Sequence, residues 1–217
     1  MLPLIVPAIL TNDFASFNQQ VNKVSKDFSS IQIDVMDGLF VTNKSFSERE
    51  QINEINTEAY FELHLMVKDP LTEISMWKDI ATVKSVVFHI EAETDVEECI
   101  RHIRNHGWNA GIALNSETSL DKVKPYLNLV DEVLFMTVHP GRQGSPFLPE
   151  VLEKIKEFKK LNLDITCSAD GGINESTIKS VVEAGADKLY IGSALVAAED
   201  PEVAHEKLVQ AIGEITI

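Results

Sequence analysis

Asp34 lies in the stretch Ile31 to Gly38, IQIDVMDG, where Ile31, Ile33 and Val35 alternate with Gln32, Asp34 and Met36. A β-strand sends alternate side chains to opposite faces, so this one has an apolar face and a face that carries chemistry. Asp37-Gly38 breaks the strand and leaves Asp34 near its carboxyl end. The run Phe61 to Met66, FELHLM, has the same parity and aligns Glu62, His64 and Met66. A later run ends in Met136, and another ends in Asp170 followed by Gly171-Gly172. Taken singly, a buried aspartate or a barrel-facing histidine is an ordinary hydrogen-bonded core residue. Two aspartates and a histidine at equivalent strand ends point instead to a site. Asp34, His64 and Asp170 suit a divalent transition metal, to which Gln32 could add an amide oxygen. Two carboxylates could also serve as paired acid and base. Met36, Met66 and Met136 are either flexible core filler or a polarisable wall that excludes water.

Glycine turns supply a second kind of chemistry. Asp170-Gly171-Gly172-Ile173-Asn174 opens a helix, and Ile191-Gly192-Ser193-Ala194 follows the last strand. Backbone N–H groups at such places bind phosphate without positive side chains. A third loop, His139 to Ser145, HPGRQGS, is long enough to fold over a barrel mouth.

These groups need strands to carry them. Strand-like runs fall at Leu4 to Ile9, Ser30 to Val35, Tyr60 to Met66, Ser85 to His89, Asn109 to Leu114, Glu132 to Met136, Asp164 to Ala169 and Lys188 to Ile191. Amphipathic segments at Phe17 to Phe28, Val96 to His106, Leu148 to Leu161, Glu175 to Ala184 and from Pro201 onward predict helices. Asp95, Asn174 and Asp200 precede three of them as start signals. Eight strands, each followed by a helix, predict a closed (β/α)₈ TIM barrel, one domain over residues 1–217, with its site at the carboxyl ends of the strands.

Composition narrows the partners. The formal net charge of −15 and pI near 4.7 repel a phosphate backbone, so nucleic acid is not expected as a partner. The two cysteines, Cys99 and Cys167, form no CxxC pair and read as buried thiols. The apolar start MLPLIVPAIL is too short to span a bilayer and lacks a basic flank, so it reads as a first strand. No membrane association, a cytoplasmic location and a homo-oligomer are expected.

With these motifs assembled, the chain resembles the ribulose-phosphate 3-epimerase family nearly end to end. IQIDVMDGLFVTN, FELHLMVKDP, FHIEAE, ALNSETSL, MTVHPGRQG, ADGGIN and GADKLYIGSAL follow in the family's order and at its spacing. The resemblance implies a ribulose-phosphate-binding barrel in which Asp34 and Asp170 are both acid/base residues and metal ligands, beside His64. It implies that Met36, Met66 and Met136 line the site. Gly171, Gly172, Gly192 and Ser193, with Gly141, Arg142, Gln143 and Gly144 from the mobile loop, would hold the substrate phosphate. The chain departs from the family at Gln32, where the family has a histidine ligand, and at Ala8, where it has serine. Arg142 and Gln143 stand in a loop usually rich in glycine, His139 replaces an asparagine and Thr42 a proline.

The expected function is epimerisation at C3 of a phosphorylated ketose, D-ribulose 5-phosphate to D-xylulose 5-phosphate, through an enediolate stabilised by one divalent metal (Zn, Fe, Mn or Co). The alternatives are an epimerase-like phosphosugar-binding protein with weakened or lost catalysis, and an epimerase for a related ketose phosphate. An aldolase or decarboxylase of the same barrel class is disfavoured, because no lysine ends an early or middle strand to form a Schiff base.

Overall fold

The computed structural model describes residues 2–46, 49–141 and 144–213. Eight parallel strands close into a barrel in sequence order: β1 (Leu4–Ile9), β2 (Ser30–Met36), β3 (Tyr60–Met66), β4 (Val83–His89), β5 (Asn109–Leu114), β6 (Glu132–Met136), β7 (Thr166–Asp170) and β8 (Lys188–Ile191). Helices α1 (Phe14–Val24), α2 (Pro70–Met76), α3 (Val96–Asn105), α4 (Val151–Lys159), α5 (Ile178–Ala184), α6 (Ser193–Val196) and α7 (Pro201–Ile212) cover it. The fold is the expected TIM barrel.

Alternation along the strands divides the buried residues into two sets. Ile31, Ile33 and Val35 of β2 join the shell between sheet and helices, with Phe17, Val21 and Val24 of α1. Inside the barrel a smaller cluster includes Val6, Ala8, Val87, Ala113, Leu134 and Met136. Below it, toward the amino ends of the strands, lies an ionic plug. Lys188 Nζ stands 2.7 Å from Glu62 Oε2 and 2.9 Å from Glu132 Oε2, and the Tyr190 hydroxyl is 2.7 and 2.8 Å from the same two carboxylates. Ser30 also donates to Glu62, and Ser168 donates to Glu132 at 2.6 Å. The plug gives each buried charge a partner, which a barrel interior requires.

Several element boundaries move. The crossovers after β2 and β5 contain no α-helix among the described residues; 3₁₀ segments take their place, at Arg49–Glu54 and at Leu120–Lys122 with Lys124–Tyr126. Pro125 has no N–H to continue a longer helix there. Helix α2 escaped the sequence reading although Asp69 caps it, accepting from the Thr72 N–H at 3.1 Å, and Pro70 opens it. Helix α1 begins at Phe14 rather than Phe17, because Asp13 accepts the Ser16 N–H at 2.8 Å. The Asp95 and Asp200 caps are present. Asn174 instead closes a turn, accepting from the Ser176 N–H at 2.8 Å, and α5 starts only at Ile178. Strand β7 runs to Asp170, which pairs in register with Met136 and Tyr190.

Candidate active site

Register brings the reactive groups together. Asp34 on β2 is the direct partner of His64 on β3, and Asp170 ends β7. His64 Nδ1 lies 3.0 Å from Asp34 Oδ1 and 3.4 Å from Asp170 Oδ2. Gln32, one turn of the alternation below Asp34, donates its amide Nε2 to Asp34 Oδ1 at 3.0 Å and to Asp170 Oδ2 at 2.7 Å. One imidazole and one amide therefore stand against both carboxylates.

Burial and neighbours set the charges. Burial raises the Asp34 carboxyl above its ordinary value, and the Asp170 charge adds to this against the hydrogen bond from His64. Burial alone would lower His64, but the hydrogen bonds and charges of Asp170 and Asp34 outweigh it and push the imidazole up to about 9. His89, behind His64, is lowered to about 4, chiefly by burial.

Asp34, His64 and Asp170 have ligand atoms within 4.8 Å of one another, a spacing that a single cation can span. Two carboxylates and an imidazole are a suitable donor set for a divalent transition metal. Gln32 presents nitrogen, not oxygen, to this centre; turning its amide over would present Oε1.

Above these groups is a cleft of about 290 Å³. Met66 and Met136 line it, as do Gly141, Gly144, Gly171, Gly172, Gly192 and Ser193. Met36 is buried but borders a neighbouring hollow with Thr11 and Asn43. Arg142 and Gln143 lie outside the described residues. The β7 turn is tightly built: Gly171 has φ 113° and Gly172 φ 63°. Its carbonyls are engaged, Asp170 O by the Thr137 hydroxyl at 3.0 Å and Gly172 O by Thr177 at 2.9 Å and Asn174 at 3.1 Å. Asn43 Nδ2 donates to Gly141 O at 2.7 Å and ties the long loop to the β2 loop.

Two residues of the site were not singled out from sequence. His89 ends β4 with its Nε2 3.0 Å from His64 Nε2, and Glu91 follows it, 3.2 Å from His89 Nδ1. The parity of Ser85, Val87 and His89 along β4 is the signal that could have found the first.

The chain matches the model of the Ribulose-phosphate 3 epimerase family over residues 4–196. The chain belongs to that family. A ribulose-phosphate 3-epimerase from Schizosaccharomyces pombe is 33% identical over 203 residues, covering 91% of this chain and 89% of the relative. A ribulose-phosphate 3-epimerase from Bacillus subtilis is 36% identical over 205 residues, covering 90% of this chain and 93% of the relative. These relatives are isomerases acting on carbohydrates, and this family member is an isomerase of the epimerase type. Among solved structures, KGPDC from Streptococcus mutans shares the fold, with a TM-score of 0.76 at 13% identity and 98% of each chain covered. No helix among the described residues is long and apolar enough to cross a membrane.

Proposed function

We propose that this chain, acting as a single domain over residues 1–217, epimerises a phosphorylated ketose at C3 and interconverts D-ribulose 5-phosphate and D-xylulose 5-phosphate. The observation that carries this is the placement of Asp34 and Asp170 on one buried imidazole beneath a glycine-rimmed cleft, in a member of this family. One aspartate takes the proton from C3, and the electron pair moves through the adjacent carbonyl to give an enediolate. The other aspartate returns a proton to the opposite face as the carbonyl re-forms, so C3 is inverted and no atom is lost. Burial keeps Asp34 ready to hold a proton, which suits such an exchange.

Asp34, His64 and Asp170 would hold one divalent cation, Zn, Fe, Mn or Co, with Gln32 turning its amide oxygen inward as a fourth donor. When bound, such a cation offsets the negative charge that develops on the enediolate oxygens. Gly171, Gly172, Gly192 and Ser193, with Gly141 and Gly144, would take the phosphate through backbone N–H groups. Met66 and Met136 exclude water above the reacting carbons. The buried, unpaired thiols of Cys99 and Cys167 support a cytoplasmic location. A homo-oligomer belongs to the same proposal and is checked by the mass of the chain in solution.

The test is conversion of D-ribulose 5-phosphate followed by proton NMR, with and without added manganese. Appearance of D-xylulose 5-phosphate supports the function. A second reading is favoured by one observation: position 32 carries an amide, a poorer donor to zinc, iron or cobalt than an imidazole. That reading is a phosphosugar-binding protein with weakened catalysis, and saturable binding without conversion would establish it.

A further inference from the structure

A chain of hydrogen bonds runs outward from His64 to a carboxylate that no step above uses. His64 Nε2 lies 3.0 Å from His89 Nε2 while the ring centroids are 5.1 Å apart, so the two nitrogens lie nearly on the line between the rings and the contact is edge to edge, where N–H bonds and lone pairs point. His89 Nδ1 lies 3.2 Å from Glu91 Oε2. The other oxygen of that carboxylate accepts the backbone N–H of Asn115 at 2.9 Å. Both imidazoles are fully buried, and the Phe40 ring covers His89 with centroids 4.8 Å apart.

When His64 is neutral, as a metal ligand must be, two ring nitrogens at this separation share one hydrogen, and the far end of the chain decides which of them carries it. An ionised carboxylate only accepts. With Oε1 taken by Asn115, Oε2 accepts the Nδ1–H of His89, and the Nε2 of His89 is left with a lone pair. The hydrogen between the rings then sits on His64 Nε2. The nitrogen of His64 turned toward Asp34 and Asp170 is Nδ1.

We propose that Glu91 and His89 are positioning residues that hold the hydrogen of neutral His64 on Nε2, and so leave Nδ1, which faces the two aspartates, as the ligating nitrogen of the site. This deepens the proposed epimerase function and rests on it, because His64 is a ligand only in that account. The substitution Glu91→Gln isolates the effect with almost no change of shape. The Asn115 N–H holds the new amide oxygen, so the NH₂ group faces His89 and requires Nδ1 as an acceptor. The His89 hydrogen moves to Nε2, and His64 Nε2 can no longer donate to it.

The test is the imidazole nitrogen-15 spectrum of the full-length metal-free protein recorded above pH 9, where His64 is neutral, paired with zinc titration by calorimetry. The wild type should show His89 protonated at Nδ1, and Glu91→Gln should show it protonated at Nε2. Zinc affinity of the variant should fall by about tenfold to a hundredfold, the usual cost of losing an outer partner of a ligating histidine. A wild-type His89 protonated at Nε2 overturns the proposal outright. So does a Glu91→Gln protein whose His89 tautomer or zinc affinity matches the wild type. A wild type that binds no zinc contradicts the ligand set of the proposed function instead, and the His89 tautomer then decides the inference alone.

Discussion

Gln32 Nε2 stands 3.0 Å from Asp34 Oδ1 and 2.7 Å from Asp170 Oδ2, so one amide donates to both carboxylates of the site. An imidazole at this position would offer a nitrogen lone pair, which zinc, iron and cobalt prefer to an amide oxygen. The Gln32 side chain already points into the barrel, where it is 1% exposed, so little rearrangement is needed. We expect Gln32→His to strengthen zinc binding by more than about tenfold, which requires only about 1.4 kcal/mol. Calorimetric titration of both proteins checks this. Equal affinities would remove position 32 from the ligand set.

Asp34→Asn and Asp170→Asn each remove a proton-transfer group and keep the side-chain volume. Turnover should fall roughly a hundredfold to ten-thousandfold in each, the usual contribution of a general acid or base. Circular dichroism should show the fold retained. Near wild-type turnover in either variant would contradict the two-aspartate account.

The legible part of this molecule is the part that obeys period two. The alternation around Asp34 and His64 reads directly into the register Asp34 with His64 and Met36 with Met66. The glycine turn after β7 was also plain, because Gly171 and Gly172 adopt conformations that other residues avoid. The short crossovers were not legible: α2 spans only 7 residues, and 3₁₀ segments carry no 3.6-residue pattern. Nor could local spacing announce that Glu62 meets Lys188, 126 positions along the chain. Met36 has the inward parity of Asp34 yet borders another hollow, because it ends its strand, where the chain turns into the next loop.

The plug beneath the site makes its own prediction. Lys188 joins Glu62 and Glu132, and Lys188→Met would leave two buried carboxylates without their cation. Breaking a buried pair in this way typically costs about 3–5 kcal/mol at neutral pH. The pH dependence follows from Glu62: burial raises its carboxyl, but Lys188, Ser30 and Tyr190 outweigh burial and hold it below the ordinary value of 4.5. A lowered folded-state value contributes stability above pH 4.5 that is lost as the pH falls below it. In the variant the carboxylates lack that support and take up protons at higher pH. The stability gap between the two proteins should therefore narrow from pH 7 to pH 4. Urea unfolding at both values measures it, and a constant gap would contradict the assignment.

Gly171 is held at φ 113°, and a Cβ there would run into the Val138 side chain. An L side chain in such a conformation costs on the order of 1–3 kcal/mol. Gly171→Ala should lower Tm and, because the turn rims the cleft, raise KM for the phosphorylated ketose. A variant with unchanged Tm and KM would show that this turn neither strains nor meets the substrate.

The central claim, that Asp34 and Asp170 exchange the C3 proton of a phosphorylated ketose, is tested most directly by incubating the protein with D-ribulose 5-phosphate in deuterated water in the presence of manganese. Deuterium should enter C3 of both substrate and product in the wild type and be reduced at least about a hundredfold in Asp34→Asn and Asp170→Asn. Wild-type protein that binds the phosphosugar yet leaves C3 unlabelled would contradict the account.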